Sequence, residues 1–145
     1  MRLQVGHTGI VVQDFVRMRR FYVDVLGLSE TRYVVREGAF IDGLTGLHAV
    51  KLEVSILGTE DHPAAIELLK YHRHPSAMVP KGPNGHGVNH VQFITRDMDA
   101  VLERLDREGL ELWGPPQVWP DTWRRCIYAR DPEGNVIEFN EPVAP

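Results

Sequence analysis

Apolar and polar positions change period several times along the chain, and each change marks an element. The stretch "VGHTGIVV", residues 5–12, has strand composition, and Asp14 follows as an N-cap. In "FVRMRRFYVDVLG", Phe15, Met18, Tyr22, Val25 and Leu26 recur at helical spacing, with Gly27 as the stop. Three strand-like runs come next, around residues 29–36, 48–57 and 64–71. The order then repeats. "GVNHVQFIT" leads to Asp97 and to a helix with Met98, Val101, Leu102 and Leu105 on one face, closed by Gly109. Strand-like runs follow around residues 111–118, 123–130 and 136–140.

Each half therefore reads β-α-β-β-β, and the pattern is a duplication. The expected fold class is α+β, with two such modules forming a curved mixed sheet and helices on its outer face. Residues 1–145 are expected to form a single domain, with module 1 at about 1–74, a linker at about 75–86 and module 2 at about 87–145. The linker expectation rests on the Pro- and Gly-rich "HPSAMVPKGPNGHG". "DPEGN", residues 131–135, is expected to be a hairpin turn, with Pro at the second turn position and Gly at positive φ.

Strand alternation sorts the polar residues onto faces. His7, Gly9 and Val11 share one face of the first strand, and His90, Gln92 and Ile94 share one face of its counterpart. In "AIELLKY", Glu67, Leu69 and Tyr71 stand against Ile66, Leu68 and Lys70; in "VIEFNEP", Glu138 and Asn140 stand against Ile137 and Phe139. If each helix covers the regular apolar face, both histidines and both glutamates lie on the other one. Each module then supplies one His from its first strand and one Glu from its last. Two imidazoles and two carboxylates suit one borderline divalent ion such as Ni, Zn, Fe, Mn or Co. The carboxylates cancel the ion's charge, which makes their own burial tolerable. A lone strand His is ordinarily a satisfied polar residue, and a lone Glu near a strand end is ordinarily solvated. The duplicated placement is what favours ligands.

The chain has 145 residues, 43% hydrophobic and 25% charged, enough for a sizeable core without staples. A net charge of −4 leaves no basic surplus for phosphates, so no nucleic-acid partner is expected. The one cysteine, Cys126, can form no intrachain disulfide, which fits a reducing compartment. No apolar run approaches a membrane span, and "IVV" is too short for a signal-peptide core. No membrane partner and a cytoplasmic location are therefore the expectation.

"GHTGIVVQD" with "FYVDVLGL", "AIELLKY", "VNHVQFITRDMDAVLERLDREGL" and the ending "IYARDPEGNVIEFNEP" together resemble the vicinal oxygen chelate superfamily. That superfamily includes glyoxalase, bleomycin-resistance proteins, extradiol dioxygenases and methylmalonyl-CoA epimerase. The resemblance implies paired modules curved around a metal, with ligand positions at His7, Glu67, His90 and Glu138. It implies a metal-dependent lyase or isomerase of the glyoxalase type, abstracting a proton next to a carbonyl through a metal-bound enediolate. A small oxygenated molecule would be the substrate. Glu138 would be the base, with Glu67 the alternative, and the working form would be a homodimer. Two other activities stay open. An extradiol, catechol-cleaving dioxygenase uses two His and one Glu around Fe(II), and Glu67 fills the position such enzymes leave without a ligand. A metal-free small-molecule binding or antibiotic-resistance protein would lack the ligands that this chain keeps.

Other residues invite simpler readings. His72 and His74 in "YHRHP" open the linker with no carboxylate nearby in sequence, and a solvated loop is expected. His48 and Glu53 fall on opposite faces of one run, with Glu53 a fallback ligand. Arg32, Arg36, Arg124 and Arg125 can hold a substrate carboxylate, although surface Arg is equally expected. Tyr128 can reach a substrate oxygen or simply pack. "PQVWPDTW" can form an apolar wall or lid over a cleft, with ordinary packing equally expected, and Cys126 reads as a small hydrophobe.

Overall fold

The period-2 segments pair in register, and the helical segments pack on the faces where apolar residues recur. The computed structural model describes residues 2–79, 82 and 84–144. The chain divides into two compact units, Met1–Met78 and Val79–Pro145. The expected linker falls partly on residues 80, 81 and 83, which lie outside the described residues. The α+β class and the repeated modules are as the sequence implies, and each unit closes a four-stranded mixed sheet of its own.

In the first unit β1 (Thr8–Val11) lies parallel to β4 (Ile66–Tyr71), which is followed in the sheet by β3 (Lys51–Gly58) and β2 (Ser29–Glu37), both antiparallel. Asp14 caps α1 (Phe15–Arg20), its carboxylate accepting the Arg17 amide at 3.0 Å. The helix continues as a π turn over Phe21–Val25, where the Leu26 amide reaches the Phe21 carbonyl at 3.0 Å. Phe15, Met18, Phe21, Tyr22 and Val25 are buried, as are Ile10, Ile66, Leu68 and Leu57 on the alternate strand positions. These residues form the core on one side of the sheet.

The other side carries a helix that periodicity does not announce. α2 (Ala39–Thr45) has seven residues, one of them Gly43, too few for a recurring stripe. Its Ile41 packs into a second cluster with Val50, Leu52 and Val54. Gly46 ends α2 at φ 71°, a backbone angle that suits glycine, and its amide bonds the Asp42 carbonyl. The Asp42 carboxylate accepts the Ala49 and Val50 amides at 2.9 and 2.8 Å. These bonds lower its pKa and hold Ala49 at φ 55°. That turn is why β3 starts at Lys51 rather than at His48.

The second unit repeats the plan with β5 (His90–Ile94), α3 (Met98–Arg107), β6 (Gln117–Trp119), β7 (Arg124–Arg130) and β8 (Val136–Pro142), in the sheet order β5-β8-β7-β6. Asp97 caps α3 through the Ala100 amide at 2.9 Å, and Met98 and Leu105 are its buried residues. The expected strand over residues 111–118 shrinks to β6 and one bridge, Leu112 with Ala129. Pro115 and Pro116 have no N–H to give a ladder, so continuous pairing begins only at Gln117.

The turn over residues 131–135 forms as expected. The Asp131 carboxylate accepts the Glu133 and Asn135 amides at 3.0 and 2.8 Å and the Asn135 side chain at 2.8 Å, and Gly134 sits at φ 83°. Asp131 is 2% exposed, so these charge-assisted bonds are little weakened by water. Asp131→Ala should therefore cost about 2–3 kcal/mol in urea unfolding, and Asp131→Asn about 1 kcal/mol. An unchanged urea midpoint for Asp131→Ala would show that the turn forms without this clamp. Among the described residues, no helix is long and apolar enough to cross a membrane.

Candidate functional site

The parallel pairing of the first and last strand in each module sets the candidate residues side by side. In the first unit Gly9 stands opposite Glu67; in the second Gln92 stands opposite Glu138. In both, the histidine lies two positions before the residue that faces the glutamate; His90 opens β5, whereas His7, expected on the first strand, sits one residue ahead of β1. The outcome is one close His–Glu contact between candidate residues in each unit. His7 Nε2 is 3.1 Å from Glu67 Oε2, and His90 Nε2 is 3.0 Å from Glu138 Oε2. The module repeat thus extends to atoms.

The two pairs differ in their surroundings. Glu138 is 8% exposed, and its Oε1 accepts Gln92 Nε2 at 2.9 Å. Tyr128, on β7 directly opposite Glu138, also bonds it; burial first and the Glu138 carboxylate second push the phenol's pKa up. The Tyr128 ring meets the His90 ring edge-on at 5.1 Å, which fixes the imidazole plane. On the same face Arg124 Nη1 donates to Asn140 Oδ1 at 2.7 Å, and Asn140 Nδ2 lies 3.0 Å from Cys126 Sγ. Burial raises the Cys126 pKa, with Glu138 adding to it, so the thiol stays protonated as the small-hydrophobe reading implies. Glu67 has no counterpart of the Gln92 clamp, because Gly9 occupies that register position. It lines a cavity of about 490 Å³ together with residues of β2, β3 and α2.

Each pair is a donor set suited to half of a divalent-ion site. Two adjacent ligands about 2.1 Å from an octahedral ion stand about 3.0 Å apart, which is the separation in both pairs. The same separation serves an imidazole N–H···carboxylate bond, so one geometry accepts a proton or an ion. Among the described residues, no group of three or more His, Cys, Asp or Glu side chains gathers at one point. The structure brings His7 to Glu67 and His90 to Glu138, and among the described residues joins no third ligand to either.

Several expectations are corrected. His72 is no free loop residue: its Nε2 lies 2.9 Å from Glu53 Oε2, and Tyr33 donates to Glu53 Oε1 at 2.9 Å. The carboxylate missing from the local sequence comes from β3, two strands away from β1. Glu53 alternates with Leu52 and Val54, so it faces away from the cavity that Glu67 lines and does not serve as its fallback. His74 is also held, its ring nitrogen 2.8 Å from the His48 carbonyl oxygen. Of the four arginines, Arg125 is committed to Asp99 and Glu141. Arg124 bonds Asn140, while Arg32 and Arg36 line the cavity beside Glu67. Val118, Trp119 and Trp123 are exposed rather than packed. The role of Gln92 was visible in the alternation as a shared face, but its bond to Glu138 needed the strand register.

The fold and these pairs define a class. The model of the Glyoxalase/Bleomycin resistance protein/Dioxygenase superfamily matches residues 4–139, and the chain belongs to that superfamily. It is similar to the uncharacterised protein YaeR of Escherichia coli strain K12, with 28% identity over 138 residues and 95% of each chain covered. Its structure is similar to that of a glyoxalase family protein from Bacillus cereus, with a TM-score of 0.89, 27% identity, and 99% of this chain and 97% of that one covered. A fosfomycin resistance protein, FosX, from Listeria monocytogenes shares the fold at a TM-score of 0.63 and 15% identity, with 99% and 96% of the two chains covered.

Proposed function

We propose that the chain is a metal-dependent enzyme of the glyoxalase type, a lyase or isomerase that moves a proton at a carbon next to a carbonyl of a small oxygenated substrate. His7, Glu67, His90 and Glu138 are proposed as ligands of one divalent ion from the set Ni, Zn, Fe, Mn and Co. The carrying observation is the repeated pair: the same two residue types, at the same register, 3.1 and 3.0 Å apart. A FosX variant of this fold has been seen with Mn(II) and dihydroxypropylphosphonic acid, which supports a divalent ion. Members of the superfamily commonly form dimers, and a cytoplasmic homodimer is proposed as the working form.

When bound, the ion would act as a Lewis acid toward the substrate's carbonyl oxygen. The chain's own residues supply the rest. Glu138 takes the proton, its carboxylate aimed by Gln92, Tyr128 and His90. Glu67 lines the cavity of the first unit.

Metal analysis tests the reading. Protein purified and reconstituted with each of the five ions should hold about one ion per chain, and His7→Ala and His90→Ala should each weaken binding more than the ~10–100-fold typical of an outer partner. Protein that takes up none of the five ions, or ion binding unaltered in both variants, would remove the metal centre and with it this function.

A further inference from the structure

We infer that the Glu67 face of the first unit carries a subsite for a small organic anion with an apolar body, its head held by Arg32 and Arg36 and its body resting beneath α2. The inference deepens the proposed function, and its catalytic meaning rests on that reading.

Register places the parts. Arg32 pairs with Ile56, which pairs with Glu67; Arg36 pairs with Leu52, which pairs with Tyr71. Arg32, Val34 and Arg36 therefore share the face that Glu67 occupies, with Arg32 two strands, about 10 Å, from Glu67. The cavity of about 490 Å³ lies within the usual size for small-molecule sites. Val34, Val54, Ile56 and Leu69 give it an apolar floor. From α2, Phe40 and Leu44 also line it, yet they remain 77% and 70% exposed. Apolar side chains turned toward a cavity and left wet gain free energy when an apolar body covers them.

The charges are as uneven as the greasy surface. Elsewhere in this unit Arg19 is held by Glu30, Arg73 by Glu37, and Lys70 by the Gln13 carbonyl, while the Arg17 side chain has no partner among the described residues but does not line this cavity. The guanidinium groups of Arg32 and Arg36 have no hydrogen-bond or ion-pair partner among the described residues. The cavity's one lining carboxylate, Glu67, is already paired with His7. Two unneutralised guanidinium groups beside an apolar floor attract an anion, and the guanidinium fork matches the oxygens of a carboxylate or phosphonate. A neutral ligand would leave the arginines unanswered, and a bare inorganic anion would leave the floor wet. The span from Arg32 to Glu67 lets one small molecule use both.

The test is an NMR titration of the full-length protein with hexanoate, with hexan-1-ol and inorganic phosphate as comparators. Hexanoate should shift amides of β2, β3 and α2 saturably, and each comparator should bind at least about tenfold more weakly. The Arg32→Gln/Arg36→Gln double variant should lose about tenfold in hexanoate affinity, as the loss of charge-assisted bonds requires. Hexanoate affinity is read on metal-free protein, so that its outcome does not depend on whether an ion binds. A protein that binds hexanoate but no ion would thus keep the subsite and remove only the metal reading. Unsaturable shifts, or equal affinity in the double arginine variant, would overturn the subsite. So would Phe40→Ser dissociating a dimer with hexanoate affinity unchanged, because α2 would then belong to a second copy.

Discussion

Glu138→Gln should keep the fold and cut turnover by about 10²–10⁴-fold, the range for loss of a general base. The substitution is nearly isosteric, so packing around a side chain that is 8% exposed is preserved. Its amide oxygen can still accept from Gln92, which donates to Glu138 Oε1 at 2.9 Å in the native protein. What it cannot do is take a proton. The fall should therefore appear in kcat, with KM little changed, because binding contacts common to ground and transition state survive. The measurement is hydrogen exchange in D₂O at the carbon next to the carbonyl, over a panel of small oxygenated carbonyl compounds, at matched metal content. Glu67→Gln provides the contrast: it should weaken metal binding more than it slows exchange at saturating metal. The reverse order would make Glu67 the base and Glu138 the fixed ligand. Exchange undiminished in both variants would end the proton-transfer assignment altogether.

The difference between those glutamates was only half legible in the sequence. Alternation has a period of two, so the face shared by His90, Gln92 and Ile94 follows from counting, and so does the face of Glu138. The bond from Gln92 to Glu138 needs the parallel register, which no local pattern states. The same holds for His72 and Glu53, which are distant in sequence and meet because β4 runs antiparallel to β3. Long-range neighbours are a property of pairing, and pairing is written in the topology. Local signals did better where the physics is local. Asp14 and Asp97 cap helices because a short carboxylate reaches the amide three residues on. The DPEGN turn closes through Asp131 for a similar reason. α2 escaped notice because seven residues give a stripe no room to repeat, and it is the element that roofs the Glu67 face. The sequence signal for a subsite was the pair Arg32 and Arg36, four apart on a strand and so on one face, but surface arginines are too common for that to decide anything.

Phe21→Ala should be the most damaging substitution outside the site, costing about 3–5 kcal/mol of folding free energy. Phe21 is 0% exposed, and so is its neighbour Tyr22; their rings meet edge-on with centroids 5.2 Å apart. Two adjacent residues of an ordinary helix do not readily bury equally. Here the π turn holds more residues per turn and sets adjacent side chains closer around the axis. Both aromatic rings can then enter the core, which is why a simple helical count picks out Tyr22 and passes over Phe21. Removing the Phe21 ring leaves a cavity that a close-packed interior fills only in part, and forfeits its contact with Tyr22. Against a typical total of about 5–15 kcal/mol for a domain, the loss is a large fraction of the whole. Urea unfolding followed by far-UV circular dichroism is the check, with Phe40→Ala as the comparison. Phe40 is the same residue type but 77% exposed, so its removal should change stability by no more than about 0.5 kcal/mol. A Phe21→Ala loss below about 1 kcal/mol would mean that the turn does not carry its aromatic pair into the core. The register linking α1 to the sheet that holds Glu67 beside His7 would then have to be redrawn.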